Sequence, residues 1–172
     1  MRPKPCTLIA AIIVLAAAPV LAQMSKKERQ ELVAQIKALD KDAVHKLVTA
    51  VEEDPLGENA ELIRPALMVY FEDIDYDVCL NQMGPLLESK NEAHRAIFWQ
   101  IVFSSGDFFI QHPDQSTDIE AYTLAGFEAG LRAYQRILQR EPKSRLDFLD
   151  ELVARQNEGK LLDHINANPC PD

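Results

Sequence analysis

What this chain has little of narrows its chemistry before any motif is read. Its 172 residues include four histidines and three cysteines, and none falls in a metal-binding spacing. His45, His94, His112 and His164 form no H-E-x-x-H and no pair at i and i+4, the arrangement with which a helix aims two imidazoles at one zinc ion. No metal and no cofactor is implied. Ser104-Ser105-Gly106 lacks both the G-x-S-x-G pattern and the strand-to-helix context of a nucleophile elbow, so no catalytic residue can be named from a motif. A sustained apolar–polar alternation rich in β-branched residues is also missing, which removes a sheet as the organising element. No linker or low-complexity segment divides the chain.

Positive charge is the remaining shortage. The chain carries 18 basic against 27 acidic residues, a formal charge of −9. Nucleic acid and anionic membrane are thereby disfavoured as partners, and a basic protein or peptide is favoured.

Long apolar runs are confined to the N-terminus. Arg2 and Lys4 precede an apolar stretch from Leu8 to Ala18, Pro19 breaks it, and Val20-Leu21-Ala22 offers the small residues a signal peptidase reads. Residues 1–22 thus read as a secretory signal peptide cut after Ala22, leaving 23–172 as a single helical domain in the periplasm or outside the cell. An uncleaved N-terminal anchor is the alternative. Removing Arg2 and Lys4 leaves 16 basic residues against 27 acidic, a formal charge of −11. Cys6 leaves with the leader, and Cys79 and Cys170 are then expected to pair in an oxidising compartment, with two free thiols as the other outcome.

At the centre lies Ala96 to Ile110, AIFWQIVFSSGDFFI. Six large apolar residues crowd Ile97 to Phe103, too many for one stripe of a helix, so neighbours are expected to cover this helix on all sides. It is shorter than the ~20 residues a bilayer needs, and Ser104, Ser105, Gly106 and Asp107 interrupt it. Around it, helical spacing repeats. Ser25 and Glu28 predict a capping box for a first helix to about Leu39, and Asp40 caps a second carrying Val44, Leu47, Val48 and Val51. Asp54-Pro55-Leu56-Gly57 stops it. A third begins near Asn59, with Pro65 predicting a kink or a start nearer Arg64. Asp77 is placed to cap a short piece over 78–83. Ser89 with Glu92 predicts the cap of the central helix, Gly106 a break in it, Thr117 with Glu120 the cap of a long helix to about Arg140, and Ser144 the cap of the next. Gly126 and Gly130 would let a neighbouring backbone approach closely. The expected fold is all-α, a compact array of six or seven helices around a buried central helix over about 89–111, with an α-α superhelix as the variant arrangement.

Two charge groupings stand out. Glu52, Glu53, Asp54, Glu58, Glu61, Glu72, Asp73, Asp75 and Asp77 face only Arg64 within their span, a candidate interaction surface for a basic partner. Arg132, Arg136 and Arg140 recur at i, i+4 and i+8, a basic stripe that complements its helix dipole, meets the acidic segment within the molecule, or holds an anion. Asp73, Asp75 and Asp77 match the opening of a calcium loop, but Val78 stands where that loop needs glycine and Gly84 where it needs a bidentate carboxylate. Gly130, Tyr134, Leu138 and Pro142 resemble the second half of a tetratricopeptide repeat. That resemblance spans 130–142 alone, since the tryptophan, leucine and glycine of a first half do not precede it at the right offsets.

From these residues the expected function is binding without catalysis, through the acidic segment. A hydrolase with an unrecognised carboxylate or Ser-His site is the alternative, and a structural envelope component a third. Oligomeric state is not legible.

Overall fold

A computed structural model describes residues 25–170, and the expected leader over 1–22 lies outside them. Seven α-helices and no strand make up the described residues. The first, α1 (Lys26–Lys37), starts on a capping box in which Ser25 and Glu28 each accept the other's backbone N–H. α2 (Lys41–Glu53) starts on Asp40, whose carboxylate accepts the Ala43 amide at 2.8 Å. α3 (Glu58–Phe71) runs through Pro65. The ring is exposed, so packing on the buried face of α3, through Ala60, Ile63 and Leu67, carries the helix past a residue that leaves the Glu61 carbonyl without its intrahelical donor.

The connection that follows holds two 3₁₀ turns, Leu80–Gln82 and Gly84–Leu86, in place of the apolar helical piece expected over 78–83. Asp77 caps nothing there. Its amide instead takes the Tyr122 hydroxyl as acceptor at 3.4 Å. Gly84 turns the chain at φ +50°, a conformation a side chain would strain, and a Cβ there would lie 2.9 Å from the Phe148 ring.

α4 (Glu92–Gln111) is the central helix and is capped by Asn91, which accepts the Ala93 amide at 2.8 Å. The expected cap, Ser89, is used differently: its hydroxyl meets His94 Nδ1 at 2.7 Å. Gly106 does not break the helix. A Cβ there would lie 2.7 Å from the Phe71 ring, so this glycine makes room for α3. α5 (Ile119–Arg140) begins on Asp118, not Thr117, because the aspartate reaches the Ala121 amide at 3.0 Å. α6 (Asp147–Asn157) has no side-chain cap, and Ser144 ends a 3₁₀ turn where its carbonyl accepts His94 Nε2 at 2.8 Å. α7 (Leu161–Ala167) completes the set.

α4 and α5 pack closely, as the small residues of α5 predict. A Cβ on Gly126 would stand 2.7 Å from the Ile101 carbonyl oxygen, and one on Gly130 would stand 2.4 Å from Ile101 Cγ1. α4 then serves two apolar clusters. One joins Ile97 and Ile101 to Phe127, Leu131, Tyr134 and Leu149; the other joins Phe103 to Val44, Val48, Val51, Leu67 and Phe71. Each fully buried large side chain contributes about 1.5–3 kcal/mol of transfer free energy. The cover over α4 is incomplete, however. Phe98, Trp99, Val102, Phe108, Phe109 and Ile110 are only partly buried; of these, Trp99 and Val102 lie on a flank left open beside α3 and Phe108 on one left open beside α2 and α5.

The C-terminal tail is fastened to the 3₁₀ segment. Cys79 and Cys170 form the expected disulfide, 91 positions apart with Cα atoms separated by 5.1 Å. Beside it Asn81 Nδ2 donates to the Pro169 carbonyl at 2.6 Å, and Gln82 Nε2 to that of Ile165 at 3.2 Å.

Candidate functional site

The open flank of α4 forms a groove of about 430 Å³ against α3 and the segment after it, lined by Met68, Val69, Phe71, Glu72, Tyr76, Trp99, Val102 and Phe103. Helical spacing puts it there. Glu61, Pro65, Met68 and Glu72 follow at i, i+4, i+7 and i+11 on the exposed side of α3, so an apolar strip lies between two carboxylates. Met68 is 45% exposed. Trp99 stacks on Phe103 with ring centroids 5.6 Å apart, and Phe103 on Phe71 at 6.0 Å, which fixes the floor. Tyr76 closes one end by donating its hydroxyl to the Val102 carbonyl at 3.1 Å. Burial pushes its phenol well above the usual tyrosine range, so it stays a donor.

The acidic residues fall into two sets. Glu52 is spent within the molecule: Arg132 grips it with Nε and Nη2 at 2.8 and 3.0 Å, and Arg136 Nη1 adds a third bond at 2.8 Å. Burial, the largest single influence, opposes ionisation of Glu52, yet the two guanidinium groups together hold its carboxyl below the ordinary value. Asp54 makes a single, more exposed contact with Arg140. The basic stripe therefore lies along the C-terminal end of α2. Lys37 pairs with Asp73 and, at 3.8 Å, with Glu72. Glu53, Glu58, Glu61, Asp75 and Asp77 are exposed and make no ion pair among the described residues. Arg64, half-buried, donates Nη2 to the Pro55 carbonyl in the field of Glu61 and Glu92.

Among the described residues no three histidine, cysteine or carboxylate side chains converge as a metal site would require. His94 and His164 have structural partners, the Ser144 and Gln82 carbonyls, and His112 lies on the Phe108 ring with centroids 4.3 Å apart.

His45 differs, and it belongs to a feature that motif reading missed. Gln100, Ser104, Asp107 and Gln111 occupy i, i+4, i+7 and i+11 of the apolar helix α4, and the first three are buried. His45 Nδ1 donates to Asp107 Oδ2 at 2.6 Å. Gln111 Nε2 donates to the Lys41 carbonyl at 2.8 Å, and Gln100 Nε2 to Ser104 Oγ at 2.9 Å. Beside this stripe is a second groove, of about 350 Å³, onto which His45, Ser104, Asp107, His112, Glu52 and Arg132 open. It shares no lining residue with the Trp99 groove. The spacing of four polar residues along the greasiest helix was the available signal.

α5 runs unbroken from Ile119 to Arg140, so the positions resembling a tetratricopeptide repeat stand on one continuous helix, with Gly130 and Tyr134 buried in its packed face. No helix among the described residues is long and apolar enough to cross a membrane. No family model, no curated protein and no solved structure matches this chain.

Proposed function

We propose that this chain is an exported binding protein that takes a basic, amphipathic segment of a partner protein in the groove between α3 and α4. Export is supported by the N-terminal leader pattern and by a disulfide suited to an oxidising compartment. One observation carries the binding reading: an open apolar groove floored by Trp99 and Phe103 has Glu72 in its wall and Glu61 farther along the same exposed face of α3. An apolar side chain of the partner enters the groove, and lysines or arginines beside it meet the carboxylates. Aromatic anchors of this kind dominate interface energetics, whereas rim charges tune specificity and association rate. Asp75, next in sequence to Tyr76 of the groove wall, is exposed and adds a carboxylate close to the rim.

The test uses the full chain and a synthetic amphipathic peptide of leucine and lysine. Trp99 is the sole tryptophan, so its emission reports the groove directly. Saturable, salt-sensitive binding with a blue-shifted emission is expected, weakened at least tenfold when Glu61, Glu72 and Asp75 are all changed to lysine. Equal affinity in the charge-reversed variant overturns the reading, as does binding that leaves Trp99 emission unchanged.

A further inference from the structure

The geometry points to a second, chemically distinct site: a general-base dyad of His45 and Asp107 that hydrolyses small uncharged carboxylic esters in the groove between α2, α4 and α5. Asp107 is 8% exposed and held from α2 and from the next turn of its own helix, accepting His45 Nδ1–H at 2.6 Å and Gln111 Nε2–H at 3.3 Å. A buried carboxylate on Nδ1 sets the imidazole tautomer and leaves Nε2 as the basic nitrogen. His45 makes no other hydrogen bond among the described residues, its side chain is 59% exposed, and it lines the groove. It is therefore the one histidine of the four that is both held by a carboxylate and open to a cavity.

The rest of the groove suits a neutral substrate. Glu52 is already bonded to Arg132 and Arg136 at one end and Asp107 to His45 at the other, so each ionised carboxylate on the groove has its partner within the fold. Val48, Phe108, Ala125 and Ala129 provide apolar wall. Ser104 accepts the Gln100 amide through Oγ, which leaves its own O–H to donate to an oxyanion.

The step balances with water as the only co-reactant. A water oxygen bonds to the ester carbonyl carbon as one of its protons passes to His45 Nε2, and the imidazolium so formed is stabilised by Asp107. The tetrahedral oxyanion then collapses, the carbon–alkoxy bond breaks, and the departing alkoxide takes the proton from Nε2. Acid and alcohol leave, and His45 is restored. In this scheme His45 touches the reacting atoms, and Asp107 is a positioning residue.

The site is independent of the peptide groove, and its experiment uses the intact chain with 4-nitrophenyl acetate. Saturable hydrolysis is expected, reduced about 10²–10⁴-fold in His45→Gln. Asp107→Asn should lower kcat at least tenfold with KM unchanged, a split that loss of packing alone would not produce. In the wild-type chain, ethoxyformylation mapped to His45 should abolish turnover and hydroxylamine should restore it, so the answer does not depend on a variant folding. A rate no greater than that of equimolar imidazole, or full activity after modification of His45, overturns the proposal.

Discussion

Glu52 shows how one side chain can be claimed from within. It lies at the end of α2 with its side chain 14% exposed, and Arg132 and Arg136 reach it across 80 and 84 positions of sequence. Because its folded-state carboxyl is held below the ordinary value, the contribution is complete above the unfolded pKa and is lost as pH falls through the folded one. Glu52→Gln should therefore destabilise the fold by about 1–2 kcal/mol at pH 7, a figure reduced for the solvent that reaches the guanidinium groups. Urea denaturation of both chains at pH 7 and pH 3 checks this, with the difference shrinking at pH 3. The list of acidic residues was legible in the sequence; which of them would find arginines was not, since a pairing over that separation is decided by how α2 and α5 cross. Three positions on one helix face showed only that the arginines would act together.

Elements were easier to read than their ends. Apolar spacing at three and four located all the longer helices, because burial of one face dominates their stability. Caps went astray where several residues could compete: Asn91 prevails over Ser89, and Asp118 over Thr117, each one or two positions nearer the first turn. The segment 72–91 carries too few periodic apolar residues for a helix and is held by 3₁₀ turns and the disulfide. α3 keeps Pro65 at an exposed position in its interior, so Pro65→Ala should restore a hydrogen bond and raise stability by about 1–3 kcal/mol by thermal or urea unfolding. The opposite holds on α5. Alanine is the better helix former by about 1 kcal/mol, but a methyl group on Gly126 meets the Ile101 carbonyl at 2.7 Å, and Gly126→Ala should cost about 1–3 kcal/mol net. The polar stripe on α4 was visible as spacing, yet its role depends on His45 from another helix.

For the molecule as a whole, α4 joins two apolar clusters and the Cys79–Cys170 bond ties the last residues to the middle of the chain. Reduction or the double change to serine should lower stability by roughly 3–5 kcal/mol on the chain-entropy account, and a mass two hydrogens below that of the dithiol identifies the bond. An all-helical array with a central apolar helix was foreseeable from composition and spacing. The open flank at Trp99 was not, because six apolar residues in seven positions say how much surface needs cover and not how much the neighbours supply. That flank, with Glu72 in its wall and Glu61 farther along α3, is where the proposed partner segment docks. Quenching of Trp99 by cesium and by iodide, before and after the leucine–lysine peptide is added, tests it most directly. Cesium should quench the free protein more efficiently than iodide, and the bound peptide should shield Trp99 from both. Iodide quenching at least as strong as that by cesium, or accessibility unchanged by the peptide, would contradict the account.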